Sequence, residues 1–475
     1  MSETRQDANA YLAAAPVGKL LLKFSIPCVL SMLVSALYNI VDQIFIGQSV
    51  GYLGNAATNV VYPFTVVALA LALLVGDGSA AFLSLSLGSG DQETSHRCIG
   101  NGIVLSAVVG IVLMIIGLVF TDPILHLFGV TEACYAYAWD YMRIILLGIP
   151  FYIFTSGMNA AIRADGSPGY SMVATVLGAV INLILDPVSI FIFHMGVKGA
   201  AIATIIGQIA SCIMTAAYFH KPKSFRFQKQ SFRLHSRIAR RICQLGVSSF
   251  ITQIAIVVII SVANNMIVLQ GPQSPYGADI PLSAVGIVMK VFGIVIAFSV
   301  GIAVGGQPVI GYNYGAGNFR RVFSVYRLVI LANIAVGAIS MLLFECCPHL
   351  FGSESDLYNE YANLCFRIYL GGILLCCIQK ASSIFLQAIG KPVKATVLSL
   401  SRDVVFLVPG VVILSSLFGV TGMLWAAPVA DVLSFLLTIL LIGMESKSIR
   451  RKEESEECKS ALPPSAVSSV AVEEV

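Results

Sequence analysis

The 475-residue sequence contains little charge: only 11% of its residues are Asp, Glu, Lys or Arg, whereas 57% are hydrophobic. An average soluble domain carries roughly 25% charged residues. A surface so poor in charge would not keep several domains in solution, and a chain this apolar is not intrinsically disordered. The composition therefore argues against a cytosolic enzyme and predicts a polytopic membrane protein.

Motifs for catalysis and for metal binding are also missing. The eleven cysteines form no Cys-x-x-Cys pair and have no histidine at metal-ligand spacing, which excludes a zinc site or a disulfide framework. There is no Walker motif, no zinc-protease signature and no nucleophile–base pair. We therefore expect a protein that is not an enzyme, has no cofactor, and uses an ion gradient rather than ATP.

Long hydrophobic runs are what the sequence does contain. A bilayer core about 30 Å thick is crossed by about 20 apolar residues. The runs are apolar on all sides and lack the alternation of barrel strands. About twelve helical spans are predicted, near residues 20–46, 56–84, 98–120, 135–161, 170–193, 199–219, 243–269, 283–309, 323–345, 359–388, 394–415 and 421–443.

Lys and Arg lie almost entirely in segments on one side of this predicted topology, and only Lys198 falls in a loop on the other side. Positively charged loops favour the cytoplasm, so both termini are predicted to be cytoplasmic. The longest polar interruption is basic and central; no folded module accompanies it, so we expect it to lie near anionic lipid rather than to bind nucleic acid. The predicted divisions are a cytoplasmic N-terminal segment (1–18), a six-helix bundle (19–220), a basic linker (221–241), a second six-helix bundle (242–445) and a disordered cytoplasmic tail (446–475).

The two halves of the chain repeat one another. Gly88 matches Gly311, a displacement of 311 − 88 = 223, and Gly166-Ser-Pro matches Gly390-Lys-Pro, where 390 − 166 = 224. Six spans return the chain to the side that it left, so the repeats are parallel. Parallel repeats of this kind are typical of transporters, in which a cleft between two bundles opens to either side.

Intramembrane polar residues are functional candidates, because burying them in lipid is costly. Asp42 lies deep in the first span, Asn182 and Asp186 share a face of the fifth, Thr204 lies in the sixth, and Tyr141 lies near the start of the fourth. The repeat displacement places apolar or weakly polar residues opposite most of them: Cys365 for Tyr141, Phe406 for Asn182, Pro409 or Gly410 for Asp186, and Ala427 for Thr204. This asymmetry predicts an ion-handling site in the first bundle only.

Two carboxylates, an amide and a hydroxyl fit either of two tasks. Their hard oxygen atoms can hold Na⁺, with Asp42, Asn182, Asp186 and Thr204 as ligands. Alternatively, two neighbouring acids in a low-dielectric pocket can hold one proton near neutral pH. A third interpretation is that the carboxylates only satisfy backbone groups where Pro187 interrupts the fifth span.

The second half carries intramembrane charges whose pairing the sequence leaves open. Lys290 and Asp431 are candidates for a mutual ion pair or for contact with substrate. Lys380 and Asp403 are an equally open pairing.

Four segments give the sequence a family resemblance: Pro16-Val-Gly-Lys-Leu, Tyr38-Asn-Ile-Val-Asp-Gln-Ile-Phe-Ile-Gly, Ile181-Asn-Leu-Ile-Leu-Asp-Pro and Gln307-Pro-Val-Ile-Gly-Tyr-Asn-Tyr-Gly-Ala. With twelve spans in two repeats, the chain resembles the MATE (multidrug and toxic compound extrusion) family over about residues 16–445. It is most similar to the bacterial DinF-like and MepA-like branches.

The resemblance implies a monomeric antiporter of the bacterial inner membrane that expels small organic cations or amphipathic drugs in exchange for Na⁺ or H⁺. It also implies that Asp42, Tyr141, Asn182, Asp186 and Thr204 form the ion site. The family's bend-forming proline of the first helix matches Pro27. Other branches carry an acidic residue on the tenth helix, where this chain has Cys376, so a coupling site there is not expected. An alternative activity is that of a flippase or exporter of lipid-linked or other amphipathic metabolites.

Overall fold

A computed structural model describes residues 10–277, 279–344 and 356–461, and helices dominate this part of the chain. Residues 1–9 of the predicted N-terminal segment and residues 462–475 of the predicted tail lie outside the described residues. The helices are α1 (Ala10–Ala14), α2 (Val17–Val50), α3 (Tyr52–Gly88), α4 (Gln92–Val119), α5 (Thr121–Leu127), α6 (Glu132–Ala164), α7 (Pro168–Pro187), α8 (Gly196–Tyr218), α9 (Ser236–Gln270), α10 (Asp279–Gly315), α11 (Phe319–Phe344), α12 (Asp356–Tyr369), α13 (Ile373–Ala388), α14 (Pro392–Leu400) and α15 (Val408–Ala461). Wider π-helical turns follow α7 (Val188–Ile192) and α14 (Ser401–Leu407).

The structure is consistent with the predicted twelve spans. Ten helical stretches are long and apolar enough to cross a membrane, and α12 and α13 together form one further span bent by 43°. The stretch Pro392–Glu454 passes this test as one unit. It contains non-helical backbone at Gly419, whose φ of 67° is a left-handed conformation that favours glycine. Gly419 therefore separates two spans, and the fold is all-α with twelve transmembrane helices.

The spans form two groups of six. We call α2, α3, α4, α6, α7 and α8 the first bundle, and α9 to α15 the second bundle. In the second bundle, α12 and α13 together form one span, and α14 forms one span with the part of α15 that precedes Gly419. The segment 219–235 joins them, and we call the membrane face that carries this segment the linker face. The beginning of α2 and the ends of α3 and α10 lie at this face, because an even number of spans separates each of them from the linker.

The linker is shorter than predicted and packs on the first bundle. Helix α9 begins at Ser236, so residues 236–241 belong to a helix. The carboxylate of Asp165, just beyond the end of α6, accepts hydrogen bonds from the backbone N–H groups of Lys223 (2.8 Å) and Ser224 (3.0 Å). Burial raises the pKa of Asp165, and the hydrogen bonds from Ser224, Tyr218 and Lys223 act in the opposite direction.

The prediction of disorder from residue 446 is wrong for residues 446–461, which continue α15. Ile449 is fully buried in the apolar cluster that α11 and α13 also form. Glu445 lies beside Lys391 and Lys394, and Glu453 bonds Arg320 at 2.9 Å. The charged composition of this segment suggested disorder, but burial of Ile449 and the Glu453–Arg320 pair hold it against the second bundle.

The two bundles touch through backbone near the linker face. A Cβ atom added to Gly246 of α9 would lie 1.8 Å from the carbonyl oxygen of Leu74, and one on Gly78 of α3 would lie 2.1 Å from that of Ile242. Gly88 and Gly315 make equally close contacts between α3 and α10. Small residues let membrane helices approach closely. The linker face is therefore closed by helix contacts that are too short for any residue larger than glycine.

Replacing Gly246 with alanine tests this packing. The added methyl group overlaps the Leu74 carbonyl, so we expect Gly246→Ala to lower stability by about 1–3 kcal/mol and to reduce the temperature of thermal unfolding in detergent micelles. Gly443→Ala is the matched control, because a Cβ there meets nothing within 4 Å and alanine favours the helix. Equal unfolding temperatures for Gly246→Ala and the unmodified protein would contradict the tight contact.

Candidate functional site

The candidate ion site of the first bundle is built where α7 ends. Asp186 is the last residue before Pro187, which has no N–H to continue the helical ladder, and the π-helical turn follows. Asp186 is 1% exposed. The Asn182 side chain, one turn earlier, donates a hydrogen bond from Nδ2 to Asp186 Oδ1 (3.0 Å) and lies 3.3 Å from Thr204 Oγ1 of α8. The structure thus brings these three predicted residues together.

Asp42 approaches the same point from α2. Its carboxyl group lies close enough to that of Asp186 for the two to interact electrostatically. Tyr141 is buried in α6 and lies within electrostatic range of both carboxyl groups and of Tyr38. Two neighbouring carboxyl groups repel when both are charged, so this geometry favours a proton or a cation between them.

Three oxygen atoms of this site have no hydrogen-bond partner: Asp42 Oδ1, Asp186 Oδ2 and Asn182 Oδ1, all of them buried. Buried acceptors without a partner are costly. Hard oxygen donors of this kind suit Na⁺, and the two carboxyl oxygens equally suit a shared proton. Among the described residues, no group of three or more His, Cys, Asp or Glu side chains is placed to hold a metal ion, so any Na⁺ bound here depends on the amide and hydroxyl oxygens as well.

Pro27 lies inside α2, which is one continuous helix here. The turn around it is held against α10: a Cβ on Gly305 would lie 2.5 Å from Ser25, and one on Gly301 would lie 2.7 Å from Val29. The Ser25 hydroxyl donates to the carbonyl of Ile302 at 3.2 Å. The predicted bending point is therefore at a contact between the bundles, on the linker side of Asp42.

A cavity of about 640 Å³ lies between the bundles, on the side of the glycine contacts that faces away from the linker. Asn182, Thr204 and Tyr38 line its first-bundle wall, whereas Asp42 and Asp186 lie behind them. The second-bundle wall is partly apolar and aromatic, with Met289, Phe292 and Tyr369. A space of this size and mixed lining suits an amphipathic organic molecule.

The second bundle contains a buried ion network that the sequence only partly predicted. Lys380 pairs with Asp403 at 2.5 Å, so that pairing is confirmed. Asp431 pairs with Arg402 at 2.8 Å instead of with Lys290, and Arg402 also bonds Asp403 at 2.7 Å. Lys290 is exposed. The four network residues carry two positive and two negative charges, so the network is neutral overall.

Arg402 is the residue that sequence reasoning missed. It is 3% exposed and faces the ring of Phe292 at 5.6 Å. The available signal was an arginine in the middle of the apolar run 394–415, directly before Asp403. Cys376, which stands where other branches carry an acidic residue, is fully buried on α13 beside this network. The two carboxylates of this network, Asp403 and Asp431, are thus each paired with a cation of the protein.

A helical fold of two parallel repeats around a cavity of mixed lining defines a membrane transporter. The MatE family model matches residues 27–188 and 250–413. The chain therefore belongs to the MatE family, as the sequence motifs predicted. The two matches begin 250 − 27 = 223 residues apart, which is the displacement of the internal repeat.

Curated relatives and solved structures agree with this family. The chain is 26% identical over 441 residues to the multidrug export protein MepA of Staphylococcus haemolyticus, covering 91% of this chain and 94% of the relative, and equally identical to MepA of Staphylococcus aureus. A MOP superfamily transporter from Pyrococcus furiosus superposes with a TM-score of 0.85 at 21% identity, covering 93% of this chain and 98% of that one. An outward-facing multidrug resistance MATE transporter superposes with a TM-score of 0.84 at 23% identity, with the same coverage.

Removing Arg402 tests the neutral network. Arg402→Met leaves Asp431 buried without its cation, so we expect a loss of about 3–5 kcal/mol in stability, seen as a lower unfolding temperature in micelles. Adding Asp431→Asn should restore part of the loss, because the stranded charge is gone. Lys198→Met, which breaks an exposed pair with Asp140, is the control and should cost less than about 1 kcal/mol. Equal losses for Arg402→Met and Lys198→Met would contradict the network.

Proposed function

We propose that this transporter exports cationic or amphipathic organic compounds by antiport with Na⁺ or H⁺ that binds at Asp42 and Asp186. The observation that carries the proposal is the set of three buried oxygen atoms that lack partners on Asp42, Asn182 and Asp186, together with the proximity of the two carboxyl groups. An inward ion gradient supplies energy when the ion binds on one side of the membrane and leaves on the other. The multidrug export activity named for the MepA relatives supports this substrate class.

The linker face is the cytoplasmic face in this proposal, since Lys and Arg concentrate there. The structure is closed toward that face by the glycine contacts, so it corresponds to the state that releases substrate and takes up the ion. Ion binding neutralises the first-bundle wall and reduces its attraction for a cationic substrate. Substrate and ion then weaken each other's binding, and this effect is reciprocal.

A change in α2 is the natural route from ion binding to closure of the cavity. Asp42 and Pro27 are on the same helix, and the turn at Pro27 contacts α10 of the other bundle. A bend at Pro27, where one backbone hydrogen bond is missing, would move Asp42 relative to α10. The ion site and the contact between bundles are thus mechanically connected through one helix.

The alternative flippase activity receives less support from the cavity. A lipid-linked pyrophosphate requires free cationic groups, but Lys380 and Arg402 are paired with Asp403 and Asp431. A third cation of the wall, Arg163, faces the carboxylate of Asp77, and the remaining wall residues are mostly apolar or carry amides and hydroxyls. An amphipathic cation fits this lining better than a doubly charged anion.

Flux measurements with charge-removing variants test the proposal. An Na⁺ gradient and a pH gradient are imposed separately across the membrane of proteoliposomes. A fluorescent organic cation should then move in the direction opposite to the flow of the coupling ion. Asp42→Asn and Asp186→Asn keep the shape of the site but cannot hold the coupling ion, so we expect gradient-driven flux to fall at least about tenfold.

Asp122→Asn, which removes a carboxylate beyond the opposite ends of the spans, is the control and should transport normally. Thermal unfolding of all three variants checks that they fold. Coupled flux that persists in both Asp42→Asn and Asp186→Asn would refute the ion site. The gradient that drives flux in the unmodified protein identifies the ion.

A further inference from the structure

Asp77 is a buried carboxylate that the ion site does not use. It lies on α3 and is 8% exposed, and it lines the cavity at the end nearest the linker face. Two close backbone contacts between the bundles flank it: Leu74, one turn before, touches Gly246, and Gly78, the next residue, touches Ile242. Asp77 therefore lies where the cavity must open when the linker face separates.

The partner of Asp77 comes from the other bundle. Ser249 of α9 donates a hydrogen bond from its hydroxyl to Asp77 Oδ2 at 2.7 Å. Gln387 orients this serine, because its side-chain Nε2 donates to Ser249 Oγ (3.3 Å) and to the Leu245 carbonyl (2.7 Å). Since the amide supplies the hydrogen in that bond, the proton of Ser249 is directed to Asp77.

The internal repeat contains a natural comparison. Ser25 is the repeat counterpart of Ser249, at a displacement of 249 − 25 = 224, and it also bonds across the two bundles. Its acceptor is the backbone carbonyl of Ile302. A backbone carbonyl thus accepts the hydrogen bond of Ser25 that is equivalent to the bond from Ser249 to Asp77. A contact of this kind between the bundles therefore does not require a carboxylate as its acceptor.

Separation of the bundles takes Ser249 away from Asp77. Arg163 of α6 also lines this end of the cavity and acts electrostatically on Asp77. However, α3 and α6 pack tightly within the first bundle, where a Cβ on Gly76 would lie 2.5 Å from Gly157, so this interaction stays similar in both states. The carboxylate loses its hydrogen-bond donor, which is unfavourable for a buried anion unless a new partner arrives.

We propose that Asp77 binds the cationic group of the substrate when the transporter opens at the linker face, and that Ser249 occupies its carboxylate while that face is closed. This inference rests on the proposed export of organic cations. It adds a substrate-binding carboxylate at the entry end of the cavity, separate from Asp42 and Asp186. Binding of the cation stabilises the open state because it replaces the hydrogen bond that opening breaks.

Equilibrium binding to the purified protein, without any gradient, tests the proposal. The probes are ethidium, a permanent organic cation, and N-phenyl-1-naphthylamine, which is uncharged. Asp77→Asn keeps an acceptor for Ser249 but removes the charge, so ethidium affinity should fall about tenfold or more, while affinity for the neutral probe stays unchanged. Ser249→Ala removes the competing donor, so ethidium affinity should rise several-fold.

The double variant Asp77→Asn/Ser249→Ala should bind ethidium as weakly as Asp77→Asn alone, because the two residues act through one contact. Asp122→Asn and Ser416→Ala, which remove a carboxylate and a hydroxyl far from the cavity, are the controls and should match the unmodified protein. Unchanged ethidium affinity in Asp77→Asn overturns the proposal, as does failure of the unmodified protein to bind ethidium. An equal change in the affinities of both probes in both single variants also overturns it. That result would indicate that the Asp77–Ser249 hydrogen bond only stabilises the closed state.

These outcomes are separable from those of the transport experiment. If the unmodified protein shows no gradient-driven flux but Asp77→Asn weakens ethidium binding, the antiport proposal fails and the binding site stands. If flux depends on Asp42 and Asp186 but binding is indifferent to Asp77, only the present inference fails.

Discussion

The cost of placing charge in a lipid environment is the constraint that organises this protein. Each buried charge that the described residues show is paired with an opposite charge, held by hydrogen bonds, or part of a candidate site. In the second bundle, Arg402 lies between Asp403 and Asp431, and the network is neutral. In the first bundle, Asp42 and Asp186 meet without a cation of the protein. The same physical penalty therefore gives one bundle a paired, neutral network and the other the site that we propose for the coupling ion.

Comparison of the two repeats shows this difference between the bundles. Both halves share their turns, their span order and serine contacts near the linker face, so folding requirements shared by the two halves do not explain polar differences between equivalent positions. Asn182 corresponds to Phe406, and the carboxylate acceptor of Ser249 corresponds to a backbone carbonyl for Ser25. A repeated scaffold thus serves as its own reference, in which polar departures from the repeat mark residues whose role exceeds packing.

Much of this architecture follows from the sequence because its signals are local. Spans are apolar runs, and the spacing of Asn182 and Asp186 predicts that they share a helix face. Pairings between distant helices were not predictable. Arg402 and Asp431 are 29 residues apart on different spans, and no periodicity specifies that Asp431 meets Arg402 instead of Lys290. Helix α15 also extended past the expected boundary, because tertiary packing of Ile449 outweighs a locally charged composition.

The length of the last helix has a mechanical consequence. At 1.5 Å per residue, the part of α15 beyond Gly419 is about 60 Å long, twice the roughly 30 Å of a bilayer core. The excess projects from the linker face, and the Arg320–Glu453 pair fastens it to α11 of the second bundle. It therefore acts as a rigid lever arm: a rotation of that bundle by a few degrees becomes a displacement of several ångströms at Ala461, well outside the membrane and away from the path of the substrate.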